Sequence, residues 1–437
     1  MIADRYIRRT VEAVALLSPF MGTLIGGFPI SIIDFMMPLF VLILLTGGIA
    51  ASPMAIFYFA YIAICILSPL AQADVIGFGD IARSAISAAR QISIFAPFML
   101  VFCIRDLDEA YIKRIVRLAL IGLFISVLAG LFMHYAGITV QESQRFWERS
   151  LGRYSASSRA GGLSGNTGAY GLTIVAFAMT VFVLMPATGQ KVGRGFAWAS
   201  VAMILLATFL SSSRGGMLQL LLLVAPLVAL GRIRISPAPV LGICIVAAGG
   251  TLLFALTDTP IPLPVNSVAF QRLDFLNLTG SGQFLDSTRA TLFQQAIAAL
   301  PDYWLFGVGY KRQLDALELL IDNSFLLILL ETGAIALLFF SLFWVFLLYR
   351  TLTLMRRERV LSVVLLFVWL SVMVRMMISA VHTNWSTMPV IYLLMALLLR
   401  ASALRADRLA ARRRGAPPAA GASAQDPDGG PAPLGAA

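Results

Sequence analysis

Apolar residues run along this chain in blocks of about twenty, separated by short polar or basic connections, and that spacing predicts a set of hydrophobic helices. The blocks fall at 11–27, 30–50, 53–71, 84–104, 117–137, 168–187, 196–212, 216–231, 237–257, 323–349, 361–381 and 386–401. They predict an all-α, polytopic membrane bundle of about twelve transmembrane helices. Gly26-Gly27 and Pro29 make the first pair the least sharply bounded, and the shorter blocks need a thin bilayer or interrupted helices. One long connection, 258–322, breaks the rhythm and is expected outside the membrane. Within it Leu292, Phe293, Ala296, Ile297 and Leu300 return to helical spacing, with Asp286 or Ser287 as a cap and Pro301 following. The loop is therefore expected to carry amphipathic helix. Residues 1–401 read as one transmembrane domain including that loop, and 402–437 as a basic, then disordered, cytoplasmic tail.

Composition agrees with the pattern. Of the 437 residues 59% are hydrophobic and 13% charged, against roughly 25% charged in soluble domains. No convincing cleavage site separates the first apolar block from the second, so no removable leader is expected. The net charge of +11 is scattered over inter-helix clusters, which argues against nucleic acid as a partner. Cys65, Cys103 and Cys244 lie far apart in apolar runs and read as small core residues. With His134 and His382 the only histidines, no metal site and no cofactor are expected.

The basic clusters set an orientation. Arg5, Arg8 and Arg9 precede the first block, and the others follow alternate blocks: Arg105, Lys113, Arg114 and Arg117; Lys191 and Arg194; Arg232 and Arg234; Arg350, Arg356, Arg357 and Arg359; then Arg400, Arg405, Arg408, Arg412, Arg413 and Arg414. Placing these in the cytoplasm makes both termini cytoplasmic. The remaining cations, among them Arg159, Arg214, Arg289, Lys311, Arg312 and Arg375, then lie outside or in the outer half of the bilayer. Arginine placed against that bias costs insertion energy and usually has an anionic partner.

Three outer stretches carry candidate chemistry. In Arg159–Gly171 glycines flank Asn166, so backbone amides can approach a ligand while Arg159 offers a planar fork for phosphate oxygens; a flexible loop is the alternative. In Ser211–Met217, Gly215-Gly216 opens a helix beside Arg214, an anion-binding arrangement that a tight hairpin with an interfacial arginine would also produce. The third stretch runs from Asp286 to Gly333 and holds Arg289, Gly307, Gly309, Asp322, Asn323 and Glu331. Its alternative is a helix cap with a snorkelling arginine. Asp322, at the loop–helix boundary, is either a general base or the N-cap of the tenth span. Glu331 and Arg375 are expected at similar depth on neighbouring antiparallel spans, and so as a structural ion pair; otherwise Arg375 joins the anion cleft and backbone groups satisfy Glu331.

The order of these motifs resembles the O-antigen ligase and O-antigen polymerase-like (Wzy-type) membrane glycosyltransferases. Ser213-Arg214-Gly215-Gly216 is similar to the short SRG-type motif of that family, and Asn323, Glu331 and Gly333 to the segment after the large loop. Arg289 is similar to the loop arginine and Arg159 to the one before the Gly/Asn segment. The likeness covers about 155–345. It implies a metal-independent enzyme of the bacterial inner membrane, with its active site facing the periplasm. The donor would be an undecaprenyl-diphosphate-linked oligosaccharide, and the acceptor a glycan or a second lipid-linked unit. Ligases of the family typically have His where Asp322 stands, which points to a polymerase of surface polysaccharide repeat units, with room for a chain-length regulator as a partner. Ligation to an acceptor is the alternative, and a lipid-linked saccharide transporter a more distant one. A transporter should carry charges near the midplane in paired halves; here, Glu331 and Arg375 apart, charges gather at the outer ends. On this reading Asp322, Arg289 and Arg214 are catalytic, while Arg159, Asn166, Gly215, Gly216 and Asn323 bind substrate.

Overall fold

The computed structural model describes residues 2–20, 53–73, 77–104, 106–135, 167–211, 219–220, 287–312, 316–317, 319, 321, 323–382 and 387–413. Among these residues there is no strand. The helices are α1 (Ile2–Leu17), α2 (Pro53–Leu67, extended by a 3-10 turn Ser68–Gln72), α3 (Phe78–Cys103), α4 (Glu109–Tyr135) and α5 (Thr167–Met179, running through a π turn to Ala187). Then come α6 (Arg194–Ser211), α7 (Ser287–Tyr303), α8 (Ser324–Met355), α9 (Arg359–Ile378) and α10 (Met388–Arg413). Eight of the described helices are long and apolar enough to cross a membrane. These eight match expected blocks. The blocks at 30–50, 216–231 and 237–257 lie wholly or almost wholly outside the described residues.

Two boundaries differ from the sequence reading. The helix expected to stop before Pro301 runs through it to Tyr303, because a proline in the last turn removes only its own N–H from the ladder. The stretch after 401, expected as the start of a tail, is the last part of α10. Ala401, Ser402 and Ala406 are buried there, and Arg405 and Arg408 pair with Glu109 at 3.6 and 3.2 Å. Residues 414–437 lie outside the described part.

In lipid, apolar side chains gain nothing from leaving water, so helices associate through packing and polar ties. At the centre of the bundle, α10 is buried on all faces from Val390 to Leu399, as its unbroken apolar run requires. Around it Tyr58 of α2, Phe95 and Phe98 of α3, Phe343 and Trp344 of α8 and Tyr392 of α10 interlock. Tyr58 stacks on Phe95 with centroids 3.8 Å apart, and Trp344 on Tyr392 at 5.8 Å. Each such pair contributes about 0.5–1.5 kcal/mol. The Trp369 indole N–H donates to Trp344 O at 3.0 Å and ties α9 to α8.

The helices give the bundle two chemically different ends. At one end α1 runs parallel to α4: Glu12 meets Arg114 at 3.0 Å, Arg8 lies over the Tyr111 ring, and Pro19 O accepts from Ser126 Oγ at 2.8 Å. Arg117 donates to Gln190 at 2.7 Å, and the same end holds the Arg405 and Arg408 pairs and Glu358, which caps α9. Described members of the basic clusters, among them Arg8, Arg114, Arg117, Arg405 and Arg408, converge here. The opposite end gathers the 3-10 turn after α2, the start of α3, the segment 303–312, the start of α8 and the turn after α9.

The α1–α4 contact depends on Gly122, where an added Cβ would stand 2.3 Å from Leu16 O. Gly122→Ala is expected to lower stability by about 1–3 kcal/mol, read as a lower melting temperature in detergent. Gly195→Ala, whose Cβ would meet nothing within 4 Å, serves as control. Equal melting temperatures for the two variants would contradict the packing described.

Candidate functional site at a broken helix

The sequence Glu331-Thr332-Gly333 interrupts α8. Gly333 adopts φ 82° and ψ 177°, so the helical ladder stops and restarts there. A break inside an apolar helix frees backbone groups that lipid cannot satisfy, at several kcal/mol each. The segment after α7 fills the gap with its own backbone. Val308 N–H donates to Leu330 O at 2.8 Å, Gly309 N–H to Glu331 O at 2.8 Å, and Ala334 N–H to Trp304 O at 2.7 Å. The approach is close enough to need glycine on both sides. A Cβ on Gly307 would stand 2.2 Å from Glu331 C, and one on Gly333 2.0 Å from Leu305 O. Both residues also have positive φ, which L side chains rarely adopt.

Further polar contacts fix this inserted loop. Ser84 Oγ donates to Tyr310 O at 2.8 Å and Gln91 Nε2 to the Tyr310 hydroxyl at 2.5 Å. Tyr58 in turn donates to Gln91 Oε1 at 3.3 Å, so the loop is wired into α2 and α3. Tyr310 is buried, and that burial pushes its hydroxyl pKa well above the ordinary value. On the other side, α7 lays Leu292, Ala296, Ala299 and Leu300 against Leu326, Leu327 and Leu330 of α8. Phe293 and Ile297 of α7, and Trp304 and Phe306 just after it, stay exposed. Phe293 and Ile297 share the apolar spacing of α7 but face outward.

Asn323 begins α8. Its Oδ1 accepts from Phe325 N–H at 2.9 Å and Leu326 N–H at 3.0 Å, and its Nδ2 donates to Met377 O at 3.0 Å. It is therefore the N-cap of the helix and a tie to α9, so the cap alternative raised for Asp322 is filled by its neighbour. Ser324 adds a second tie: its hydroxyl donates to Ser379 O at 2.9 Å and accepts from Val381 N–H at 3.1 Å.

Three ionisable residues lie around the inserted loop and the break: Glu331, Lys311 and His382. Glu331 is 1% exposed, and its carboxylate oxygens accept no hydrogen bond of ordinary geometry, although the Lys311 main-chain N–H is directed at it. Lys311 is exposed. His382 is 1% exposed, 6.0 Å from the Phe340 ring, with no hydrogen-bond partner for either ring nitrogen. Burial, then the Lys311 charge, pushes its pKa down to about 3, so the ring is neutral. Lys311 itself has φ 59°, and among the described residues it is the one non-glycine with positive φ. That conformation costs about 1–2 kcal/mol for a residue with a Cβ.

The expected Glu331–Arg375 pair is not formed. Both residues are buried, and no ion pair joins them. The helix is regular from Ser324 to Glu331, so the depth estimate is untouched by the break at Gly333; what the expectation left out is the loop that bonds to this part of α8 through Leu330 O and Glu331 O. Arg289 falls in the first turn of α7, and its side chain lies outside what is described. Asp322, Arg214, Gly215, Gly216, Arg159 and Asn166 also lie outside the described residues. Sequence reasoning named Lys311 only as an outer cation and His382 only in counting histidines. The G-x-G spacing just before Lys311 was the available signal, since it marks a backbone that must turn tightly.

Residues 198–341 match the model of a family described as O-antigen ligase, a span that includes Arg214, Arg289, the inserted loop, Asp322 and the break in α8. No curated protein matches the chain.

Replacing either glycine at the crossing should separate loop from helix. Gly307→Ala and Gly333→Ala are each expected to destabilise the protein by about 2 kcal/mol or more, seen as a lowered melting temperature in detergent. Wild-type melting in both variants would show that the two backbones do not meet as described.

Proposed function

We propose that this protein, which carries an O-antigen ligase family domain over residues 198–341, polymerises undecaprenyl-diphosphate-linked oligosaccharide repeat units at the outer face of the bacterial inner membrane. The observation that carries the reading is the loop-filled break in α8. Non-helical backbone at membrane depth is tolerated where it is buried in protein or lines a cavity, and this break stands at the end of the bundle opposite the basic clusters. By the positive-inside rule the basic end is cytoplasmic, along with both termini, and the break faces the periplasm.

In the reaction, the acceptor hydroxyl attacks the anomeric carbon of the donor sugar. The bond from that carbon to the diphosphate oxygen breaks, and undecaprenyl diphosphate leaves with the electron pair. The hydroxyl has a pKa far above 7, so a base must take its proton. Asp322 is assigned that role; with Asn323 serving as the cap, the carboxylate is not needed to start α8. Negative charge builds on the leaving diphosphate, and fixed arginines in a site shielded from water stabilise it. Arg214 and Arg289 are assigned to it, with Arg159, Asn166, Gly215 and Gly216 binding the rest of the donor. Asn323 acts chiefly by holding the start of α8 against α9. The exposed Phe293, Ile297, Trp304 and Phe306 suit contact with the membrane from which a prenyl-linked donor would arrive.

The family description favours a second reading, transfer of finished polymer to an acceptor by a ligase. Deleting the gene separates the two. Loss of surface polymer with single repeats still attached means a polymerase; polymer retained on its lipid carrier means a ligase.

Arg214→Ala, Arg289→Ala and Asp322→Asn are expected to lower turnover by about 100-fold or more in protein that folds and inserts normally. Lys at either arginine should also be poor, because a point charge does not reproduce the planar fork. Full activity in the arginine variants removes the diphosphate site, and near-normal Asp322→Asn removes the base. Orientation has its own check. A reporter fused after Leu285 should be non-cytoplasmic and one after Arg357 cytoplasmic; the reverse would put the site on the wrong side for this chemistry.

A further inference from the structure

We propose that the cleft between α4, α9 and α10 at the basic end of the bundle binds the headgroup phosphate of an anionic phospholipid, with Arg405 and Arg408 as its ligands. The inference concerns the end away from the broken helix and does not depend on the transferase reading.

The cleft lies where three spanning helices begin or end. There α10 passes from its apolar run into a stretch with Arg400, Arg405 and Arg408, while α4 starts at Glu109 and α9 at Arg359. Between them is a shallow cleft of about 350 Å³, part of it open to the outside. The buried Leu107, Ile112 and Leu361, with Leu404, form its apolar wall. Arg405, Arg408 and Glu109 line its polar side.

Two observations carry the proposal. First, both arginines reach one carboxylate oxygen: Arg405 Nε stands 3.6 Å and Arg408 Nη1 3.2 Å from Glu109 Oε1. Asp407, between them in sequence, joins neither pair, and no other carboxylate among the described residues pairs with either arginine. One acid shared by two cations leaves a net positive charge, and like charges set side by side repel. Each guanidinium has five N–H donors. The pairs with Glu109 and the 3.5 Å contact of Arg405 Nη1 with Ala187 O engage a minority of them. Second, this surplus charge stands on the rim of an apolar wall, at the level where spanning helices meet the membrane surface. The helix dipole favours cations in the last turns of α10. It does not call for two of them turned onto one carboxylate beside a cleft.

An anionic phospholipid matches both halves of the cleft. Its phosphate oxygens suit the arginine forks, and its glycerol and first acyl carbons suit the apolar wall. A free phosphate would use the arginines and leave the wall wet, so the lipid is the favoured source. Basic pockets between transmembrane helices on the cytoplasmic side hold lipid headgroups in this way. Bound there, the lipid ties the central helix α10 to α4 and α9.

The test uses full-length protein in detergent micelles doped with phosphatidylglycerol, with phosphatidylcholine or inorganic phosphate as comparisons. It reads the melting temperature and the lipid retained in native mass spectrometry. Phosphatidylglycerol at ten times its Kd is expected to raise the wild-type melting temperature by about 2–4 °C. The double variant Arg405→Gln, Arg408→Gln should lose that rise and retain one lipid fewer, a reading that holds even if the variant melts lower. The double variant Arg356→Gln, Arg357→Gln removes the same charge from exposed positions in the α8–α9 turn and should keep both. Glu109→Gln should keep or enlarge the rise, because the acid competes with the phosphate. An unchanged rise in the 405 and 408 variant, an equal loss in the 356 and 357 variant, or a loss in Glu109→Gln would overturn the site. A response to phosphatidylcholine or to inorganic phosphate as large as that to phosphatidylglycerol would overturn the assignment to an anionic lipid.

Discussion

Three main-chain hydrogen bonds between residues 304–309 and 330–334 hold the candidate site together. A transmembrane helix interrupted at its glycine exposes carbonyls and an amide that lipid cannot satisfy, and water does not reach them. The loop after α7 supplies the missing partners. Because the two backbones cross closely, each side needs a residue without a side chain at the crossing, and Gly307 and Gly333 meet that need. The rest follows from this crossing. Loop residues Tyr310 and Lys311 are delivered next to Glu331, and the start of α8 is capped by Asn323 and stitched to α9.

The same crossing separates the charges of the molecule into two kinds. At the basic end, ion pairs such as Arg114–Glu12 and Arg408–Glu109 are exposed and individually worth little, about 0–1 kcal/mol. They mark an end of the bundle and its orientation rather than a reaction. At the other end, among the described residues, Glu331 and His382 are buried without hydrogen-bond partners for their side chains. Such groups cost stability and persist where the surrounding structure holds them for a purpose.

Much of this was legible before any coordinates. Apolar blocks near the length of a bilayer gave the helices of the bundle, since length and composition decide whether a helix can cross. The motif order gave the family that residues 198–341 match. What could not be read was geometry beyond one helix. Glu331 and Arg375 looked like partners because depth along two neighbouring helices was all the sequence offered, and it does not say that a loop from elsewhere will pack against α8 at Glu331. Gly333 could have been an ordinary helix-packing glycine like Gly122. Only the position of Leu305 O against it shows that it is a crossing point. Asp322 and Asn323 were equally suited to capping, and hydrogen bonds to Phe325 and Leu326 N–H decide for Asn323.

The most direct test is turnover by the purified protein alone. Reconstituted in liposomes with lipid-diphosphate-linked repeat units, and with no nucleotide, ion gradient, second enzyme or energy source, it should lengthen the glycan and release the carrier diphosphate. Protein that is folded and correctly inserted but leaves the lipid-linked units unreacted, or merely moves them across the bilayer, would contradict the transferase reading.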